Sequence, residues 1–100
     1  MPVEKMRQQH IESGLKETPG WALKNEKLHR ELKFKNFVQA WGFMTQVAML
    51  AEKADHHPEW SNVYSRVTID LTTHEADGIS QRDFDLARKI NEILTRTKLD

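Results

Sequence analysis

An alternating strand pattern passes directly into an amphipathic helix pattern in residues 21–54, WALKNEKLHRELKFKNFVQAWGFMTQVAMLAEKA. Apolar residues alternate with mostly charged ones from Leu28 to Phe34, which is typical of a strand with one buried face. The turn-like residues 25–27 separate this strand from a short apolar segment at 21–23, so the pair predicts a β-hairpin. Because the alternate positions are almost all charged, we expect the second face of the strand to contact water or a charged partner.

A long helix follows this hairpin. Asn36 is a good N-cap residue, and Gln39 stands three positions later, where a capping box places its second member. Apolar residues then recur at helical spacing as far as about Ala54, which indicates an amphipathic helix. The predicted apolar stripe of this helix consists of Phe37, Trp41, Met44, Ala48 and Ala51, and it is widened by Val38, Val47 and Leu50.

Two further helices are expected, one towards each end of the chain. A weak helical pattern within residues 4–16 ends at the breaker Thr18-Pro19-Gly20. Near the other end, Ser80 is expected to cap a final helix, with Asp83 at the third helical position, where a carboxylate is favourable.

A loop and a long strand pattern lie between the last two helices. Residues 55–60 are expected to form a loop, because the residue before Pro58 avoids the helical conformation. Alternation with period two runs from Asn62 to Thr72, which is long for one strand, so we expect a bend or break near Ser65. The order helix, hairpin, helix, strand and helix predicts an α+β fold with helices packed on one face of the sheet.

Length and composition exclude several classes of protein. The chain has 100 residues, so we expect residues 1–100 to form a single domain. Lys and Arg number 15 and balance 15 Asp and Glu, so there is no basic excess for direct nucleic-acid binding. Cysteine is absent, which excludes disulfides, thiolate metal sites and cysteine nucleophiles. Neither a membrane-spanning segment nor a secretory signal is visible, and we expect a cytoplasmic protein without a membrane partner.

Histidine placement carries the strongest functional signal. His56 and His57 are adjacent and precede Pro58, at the end of the long helix, and His74 follows the next strand pattern. Loop ends of regular elements can present a side chain to a cleft. Imidazole exchanges protons near neutral pH, so these residues are candidates for general acid–base catalysis.

Carboxylates and aromatic side chains accompany these histidines. Glu52 lies one helical turn before His56, and Asp83 follows His74; a carboxylate bonded to one ring nitrogen fixes the tautomer of an imidazole. Trp60 and Tyr64 are candidates for the flat walls of a site for a planar ligand.

Simpler structural roles remain open for each of these residues. A histidine in a polar loop is usually just solvated, Glu52 can be a surface residue, and Asp83 suits the first turn of a helix. Trp60 and Tyr64 can belong to a core or an interface, a place that suits Trp21 and Trp41 even better.

A zinc site is the competing interpretation of the three histidines. His56, His57 and His74 could be three ligands of an open catalytic site. However, adjacent histidines point apart on a helix or a strand, and no H-E-x-x-H spacing is present. We therefore favour proton transfer and expect no metal.

The ordered set of candidate residues resembles the pterin-4a-carbinolamine dehydratase family. The family pattern is an acidic or polar residue, three positions, His-His-Pro, an aromatic residue, a histidine and an aspartate, met here by Glu52, His56-His57-Pro58, Tyr64, His74 and Asp83. The similarity runs from about Trp21 to Ile93. Residues 1–20 match loosely, as an N-terminal helix or extension, and the hairpin turn lacks the glycine that many members carry.

The resemblance implies a four-stranded antiparallel sheet with helices on one face, and dimers or tetramers. It also implies dehydration of 4a-hydroxytetrahydropterin to quinonoid dihydropterin, which needs no metal or organic cofactor and recycles the pterin of aromatic amino acid hydroxylases. Under this interpretation His56 and His74 transfer protons and His57 holds the pterin. Glu52 and Asp83 orient imidazoles, and Trp60 forms a wall of the site.

Two alternatives follow from the same resemblance. Some animal members act as dimerisation cofactors of a homeodomain transcription factor, so the protein could be a non-enzymatic interaction protein that binds a protein partner through a helix face. An enzyme of the same chemistry could also act on a different pterin, such as one linked to molybdenum cofactor metabolism.

Overall fold

A computed structural model describes residues 3–97 of the chain. Three α-helices and four strands follow one another in this part, and a 3₁₀ turn precedes the last helix. Their bounds are α1 (Gln8–Glu17), β1 (Ala22–Lys24), β2 (Lys27–Lys33), α2 (Phe37–Ala54), β3 (Glu59–Val63), β4 (Arg66–Leu71), the 3₁₀ turn (His74–Ala76) and α3 (Gln81–Thr95).

The four strands form one antiparallel sheet in the order β1-β2-β4-β3. Leu28 lies opposite Leu71, and Leu32 lies opposite Val67. All four side chains are buried, and since successive side chains of a strand alternate between faces, they mark one face of the sheet as the core face. Together with the helices that cover this face, the sheet confirms the expected α+β architecture.

The helix termini follow the local sequence signals closely at α3 and more loosely elsewhere. Ser80 and Asp83 form the expected capping box at the start of α3. At the start of α2, the Asn36 side chain accepts a hydrogen bond from the Gln39 N–H at 2.8 Å. The Gln39 side chain, however, accepts from the Lys35 N–H and not from that of Asn36. The N-terminal helix spans Gln8–Glu17, so it begins within the expected range 4–16 and ends one residue beyond it.

The expected loop through Trp60 is wrong at its last two residues. Strand β3 begins at Glu59, immediately after Pro58, and pairs with β4 over its whole length. Proline prevents a helix here but is tolerated at the start of a strand. The expected break near Ser65 is confirmed as the turn of a hairpin, where Tyr64 takes a φ of 51°.

The side of helix α2 that faces the core is not the apolar stripe that the sequence predicted. The buried side chains are Ala40, Phe43, Val47 and Ala51, of which the predicted stripe included only the last two. The helix is apolar on two sides, and the sheet can cover only one. We call the second side the outer face of α2; it is formed by the exposed residues Phe37, Val38, Trp41, Ala48 and Met49.

Trp21 and Trp41, both expected in a core or an interface, differ in their burial. Trp21 is buried and its indole N–H donates to Asn91 Oδ1 at 2.9 Å, whereas Trp41 is 56% exposed. None of the helices within residues 3–97 combines the length and the apolar character required to cross a membrane.

Candidate functional site

Antiparallel pairing brings the two histidine-bearing loops to one end of the sheet. His56 and His57 precede β3, and His74 follows β4. Glu59, the first residue of β3, lies opposite Asp70, near the end of β4. Because paired antiparallel strands run in opposite directions, the loop before β3 and the loop after β4 are neighbours.

A buried carboxylate connects these loops to the start of α3. Asp83 is fully buried, and its Oδ1 accepts a hydrogen bond from His56 Nε2 at 2.6 Å. Its Oδ2 accepts from the Thr73 hydroxyl at 2.8 Å and from the Ser80 N–H at 2.9 Å. Since Thr73 directly precedes His74, one aspartate fixes both histidine loops relative to the helix. Asp83 thus has the geometry of both expected roles, a helix-capping carboxylate and a partner of an imidazole.

Glu52 contacts His57 rather than His56, the histidine one helical turn further along the sequence. The distance from His57 Nε2 to Glu52 Oε1 is 2.9 Å, and both side chains are mostly exposed. Helical spacing no longer applies at His56, because Asp55 takes a left-handed conformation with φ 52° and ends the helix.

His74 contacts a carboxylate that the sequence did not single out. Its Nε2 lies 3.2 Å from Glu59 Oε2, and the other oxygen of Glu59 accepts from Lys27 Nζ. The hydrogen bond from Lys27 is the main cause of a lowered pKa at Glu59, and the same contact raises the pKa of Lys27. Sequence reasoning missed Glu59 because it assigned this residue to a loop. In a strand, its register opposite Asp70 places it on the same face of the sheet as Lys27 of β2.

All three imidazoles turn the same ring nitrogen towards a carboxylate. His56, His57 and His74 each present Nε2 to a carboxylate oxygen. A carboxylate only accepts hydrogen bonds, so Nε2 is assigned the proton and Nδ1 carries the lone pair of the neutral ring. The arrangement leaves Nδ1 of each ring as the nitrogen that can exchange a proton with a ligand.

The histidines differ in how accessible they are. His56 is only 7% exposed, whereas the side chains of His57 and His74 are 58% and 78% exposed. His56 lines a cavity of about 270 Å³ beside α3. His74 lines a different cavity, of about 420 Å³, between the β1–β2 turn and the N-terminal segment.

The structure separates the two aromatic candidates from the histidines to different degrees. Trp60 lies opposite Ile69, one residue after Glu59, and is partly buried against the core. Tyr64 is 65% exposed in the β3–β4 turn. This turn lies at the far end of β3, about five residues or roughly 15 Å of strand from Glu59, so the structure does not bring Tyr64 to the histidines.

The zinc interpretation can be examined in the same geometry. Within residues 3–97, no group of three or more His, Asp or Glu side chains is arranged to hold a metal ion. His56, His57 and His74 each turn Nε2 towards a separate carboxylate.

Comparison with known proteins identifies the family. The family model of pterin 4 alpha carbinolamine dehydratase matches residues 4–93. A protein of Solibacter usitatus whose name assigns it to the pterin-4-alpha-carbinolamine dehydratases is 53% identical over 89 residues, which cover 89% of this chain and 94% of the relative. A protein of Novosphingobium aromaticivorans with the same assignment is 50% identical over 96 residues and covers 94% of this chain and 100% of its own.

A crystal structure shows the same fold. The transcriptional coactivator/pterin dehydratase from Brucella melitensis matches with a TM-score of 0.87 and 41% sequence identity, over 90% of this chain and 98% of its own. The match to the family model extends to residue 4, and so includes most of the N-terminal segment that the sequence pattern matched only loosely. On these grounds the chain belongs to the pterin-4a-carbinolamine dehydratase family and is a hydro-lyase of that kind.

Proposed function

We propose that this dehydratase removes water from a 4a-hydroxytetrahydropterin by proton transfer to and from histidine side chains. The carbon–oxygen bond at carbon 4a breaks as the oxygen accepts a proton and leaves as water. The ring nitrogen bonded to carbon 4a gives up its proton, and the carbon–nitrogen double bond of quinonoid dihydropterin forms. One protonated and one neutral imidazole meet both requirements near neutral pH.

The observation that supports this proposal best is the common orientation of the three imidazoles. Each has a carboxylate at Nε2, and the loops that carry them meet at one end of the sheet. Such a carboxylate both fixes the ring and raises the basicity of the other nitrogen.

Accessibility leads us to change the roles that the sequence suggested for His56 and His57. His57 and His74 are exposed enough to touch a substrate, so we assign proton transfer to these two residues. His56 is nearly buried and bonded to Asp83, so we assign to this pair the positioning of the loop. Trp60, partly buried at the start of β3, remains the candidate wall for the pterin ring.

Steady-state kinetics of single variants test the assignment. We expect His57→Ala and His74→Ala each to slow dehydration by at least about tenfold, and by up to 10²–10⁴-fold where the imidazole supplies a full proton transfer. His10→Ala is a matched control, because His10 is an exposed histidine on α1 and should retain the parental rate. A doubly substituted His57→Ala, His74→Ala protein with full activity would contradict the proposal.

Proton transfer alone accounts for this reaction, so we propose that it needs no metal and no organic cofactor, with the pterin as substrate. The expected result is an unchanged rate after dialysis against a chelator, and a rate restored only by added divalent metal would contradict it. The absence of cysteine fits a reducing compartment, and we propose the cytoplasm as the site of action, in which the protein recycles the pterin of an aromatic amino acid hydroxylase.

We further propose that the outer face of α2 binds a second copy of the chain. Phe37, Val38, Trp41 and Met49 are 46% to 78% exposed, and contiguous exposed apolar side chains mark interaction surfaces. Because the net charge of the chain is zero, two copies do not repel each other through their overall charge. Trp41→Glu should shift the molar mass measured by light scattering to that of the monomer, whereas Gln46→Glu, on another side of the same helix, should not. A monomeric parental protein would contradict this proposal.

A second candidate function is that of an interaction protein that binds a foreign partner through the outer face of α2. It is favoured by this exposed apolar surface and by the description of the Brucella melitensis relative as a coactivator/dehydratase. If His57→Ala and His74→Ala leave every dehydratase rate unchanged while Trp41→Glu abolishes binding of a partner protein, this second function is the correct one. Rates and affinities measured with differently substituted pterins would separate action on biopterin from action on another pterin.

A further inference from the structure

A lysine, a glutamate and one of the proposed catalytic histidines form a connected series of side chains. Glu59 Oε2 lies 3.2 Å from His74 Nε2, and Glu59 Oε1 accepts from Lys27 Nζ. Lys27 is the first residue of β2, Glu59 is the first of β3 and His74 is the first of the 3₁₀ turn. The series therefore joins three segments that are distant in sequence but meet at the histidine-bearing end of the sheet.

Glu59 occupies a position that local stability alone disfavours. It lies directly opposite Asp70 in the β3–β4 pair, and like charges directly opposite one another destabilise a sheet. Each carboxylate has its own cation on β2: Lys27 contacts Glu59, and His29 contacts Asp70. The hydrogen bond from Lys27 lowers the pKa of Glu59, so this residue is a carboxylate at neutral pH.

A fixed carboxylate has a specific effect on an exposed imidazole. The His74 side chain is 78% exposed, so little packing restricts its rotamers. Glu59 belongs to a paired strand and accepts a hydrogen bond from Lys27, so its carboxylate has a defined place 3.2 Å from His74 Nε2. The contact selects one ring orientation and leaves Nδ1 as the proton-exchanging atom.

We propose that Glu59 is a positioning residue for His74 and that Lys27 holds Glu59 in place for this task. The inference rests on the proposed function, in which His74 transfers a proton. An exposed ion pair typically contributes little to stability, so unfolding experiments cannot reveal the role. The orientation of the imidazole and its consequence for catalysis can.

The test compares the ¹⁵N NMR signals of the His74 ring nitrogens in the free protein, which report which nitrogen carries the proton, with the steady-state constants of dehydration. Glu59→Gln removes the carboxylate at Nε2, so it should weaken the preference for the ring form with the proton on Nε2. We also expect Glu59→Gln to lower kcat by about tenfold with little change in KM. Lys27→Met releases Glu59 and should change both measurements in the same direction, to a smaller extent.

The charged surroundings of His74 define the control. Besides Glu59 and Lys27, the charged residues lining the adjacent cavity are Glu26 from the hairpin turn, Lys5 from the N-terminal segment and Asp77 from the same loop. None of these three forms a salt bridge to His74 among the described residues. Glu75 directly follows His74 but pairs with Arg82 at 3.1 Å. Glu75→Gln thus removes an equal charge close by in sequence and should leave kcat and the His74 ring signals unchanged.

Two results would overturn the inference in different ways. If Glu59→Gln leaves the His74 ring signals and kcat as they are in the parental protein, the contact does not act on the imidazole. If the ring signals change as expected but His74→Ala is fully active, then the catalytic role of His74 is wrong, and a positioning role has no reaction to serve.

Discussion

Replacement of Asp83 by alanine should destabilise the protein more than any other single loss of a carboxylate in the histidine-bearing loops. The carboxylate has no exposure to solvent and accepts from His56 Nε2, the Thr73 hydroxyl and the Ser80 N–H. Without it, the His56 and Ser80 donors are buried with no acceptor. Thr73 keeps a partner, because its hydroxyl lies 2.6 Å from Ser80 Oγ.

The magnitude follows from these contacts. Two buried donors left without an acceptor cost about 1–3 kcal/mol each, so we expect a loss of about 4 kcal/mol in the free energy of unfolding. Since small domains have a total stability of about 5–15 kcal/mol, the variant should retain a reduced but measurable transition.

Urea denaturation followed by far-ultraviolet circular dichroism measures this loss. Asp85→Ala is the matched control, because Asp85 is exposed on the same helix and its replacement should change stability by no more than about 0.5 kcal/mol. Asp83→Asn is a milder variant. It keeps an oxygen acceptor for Ser80 and turns an amide N–H towards His56, so we expect a loss of about 1–2 kcal/mol and a proton moved to Nδ1 of the ring. Equal stability of Asp83→Ala and Asp85→Ala would refute the reasoning.

Two further predictions concern the outer side of the sheet and the first hairpin. Hydrogen bonds, first to Glu31 and then to Asp70, raise the pKa of His29, so the stability that this residue contributes is complete below its ordinary pKa of about 6.5 and is lost as the pH rises through the raised value. Between about pH 6 and pH 9, the free energy of unfolding measured in urea should therefore fall more for the parental protein than for His29→Gln. An identical pH dependence of the two proteins would contradict this. Glu26 has a φ of 62° in the β1–β2 turn, so Glu26→Gly should raise the free energy of unfolding by about 0.5–1 kcal/mol. The control Lys24→Gly lies in the extended strand and should lower the free energy of unfolding. A destabilised Glu26→Gly protein would show that the turn is not strained.

The parts of the fold that sequence predicts best are those in which one local signal has no competitor. Alternation from Leu28 to Phe34 has only one apolar side, so the buried face of β2 follows directly. The Ser80 and Asp83 pair satisfies the first turn of α3 from within its own segment. Neither prediction requires knowledge of what packs against the element.

Partners of the histidines were harder to predict, because each pair joins residues from segments whose relative placement depends on the whole fold. His56 was expected near Glu52 by helical spacing, but its carboxylate comes from α3, 27 residues further on. Glu59 follows the histidine pair so closely that it was assigned to the same loop. In the structure it is the first residue of β3, opposite Asp70, and its carboxylate lies 3.2 Å from His74 Nε2.

Helix α2 shows why an apolar stripe does not by itself identify a core. Its sequence is apolar on two sides, and spacing cannot tell which of them faces the sheet and which faces outwards. At about 100° per residue, Glu52 falls on the outer side, three and four residues beyond Met49 and Ala48. A second copy bound to the outer face of α2 would therefore lie beside the Glu52–His57 pair. The apolar surface that we assign to self-association and the carboxylate that holds a proposed catalytic imidazole are thus neighbours on one helix, so Trp41→Glu should be assayed for dehydration as well as for molar mass.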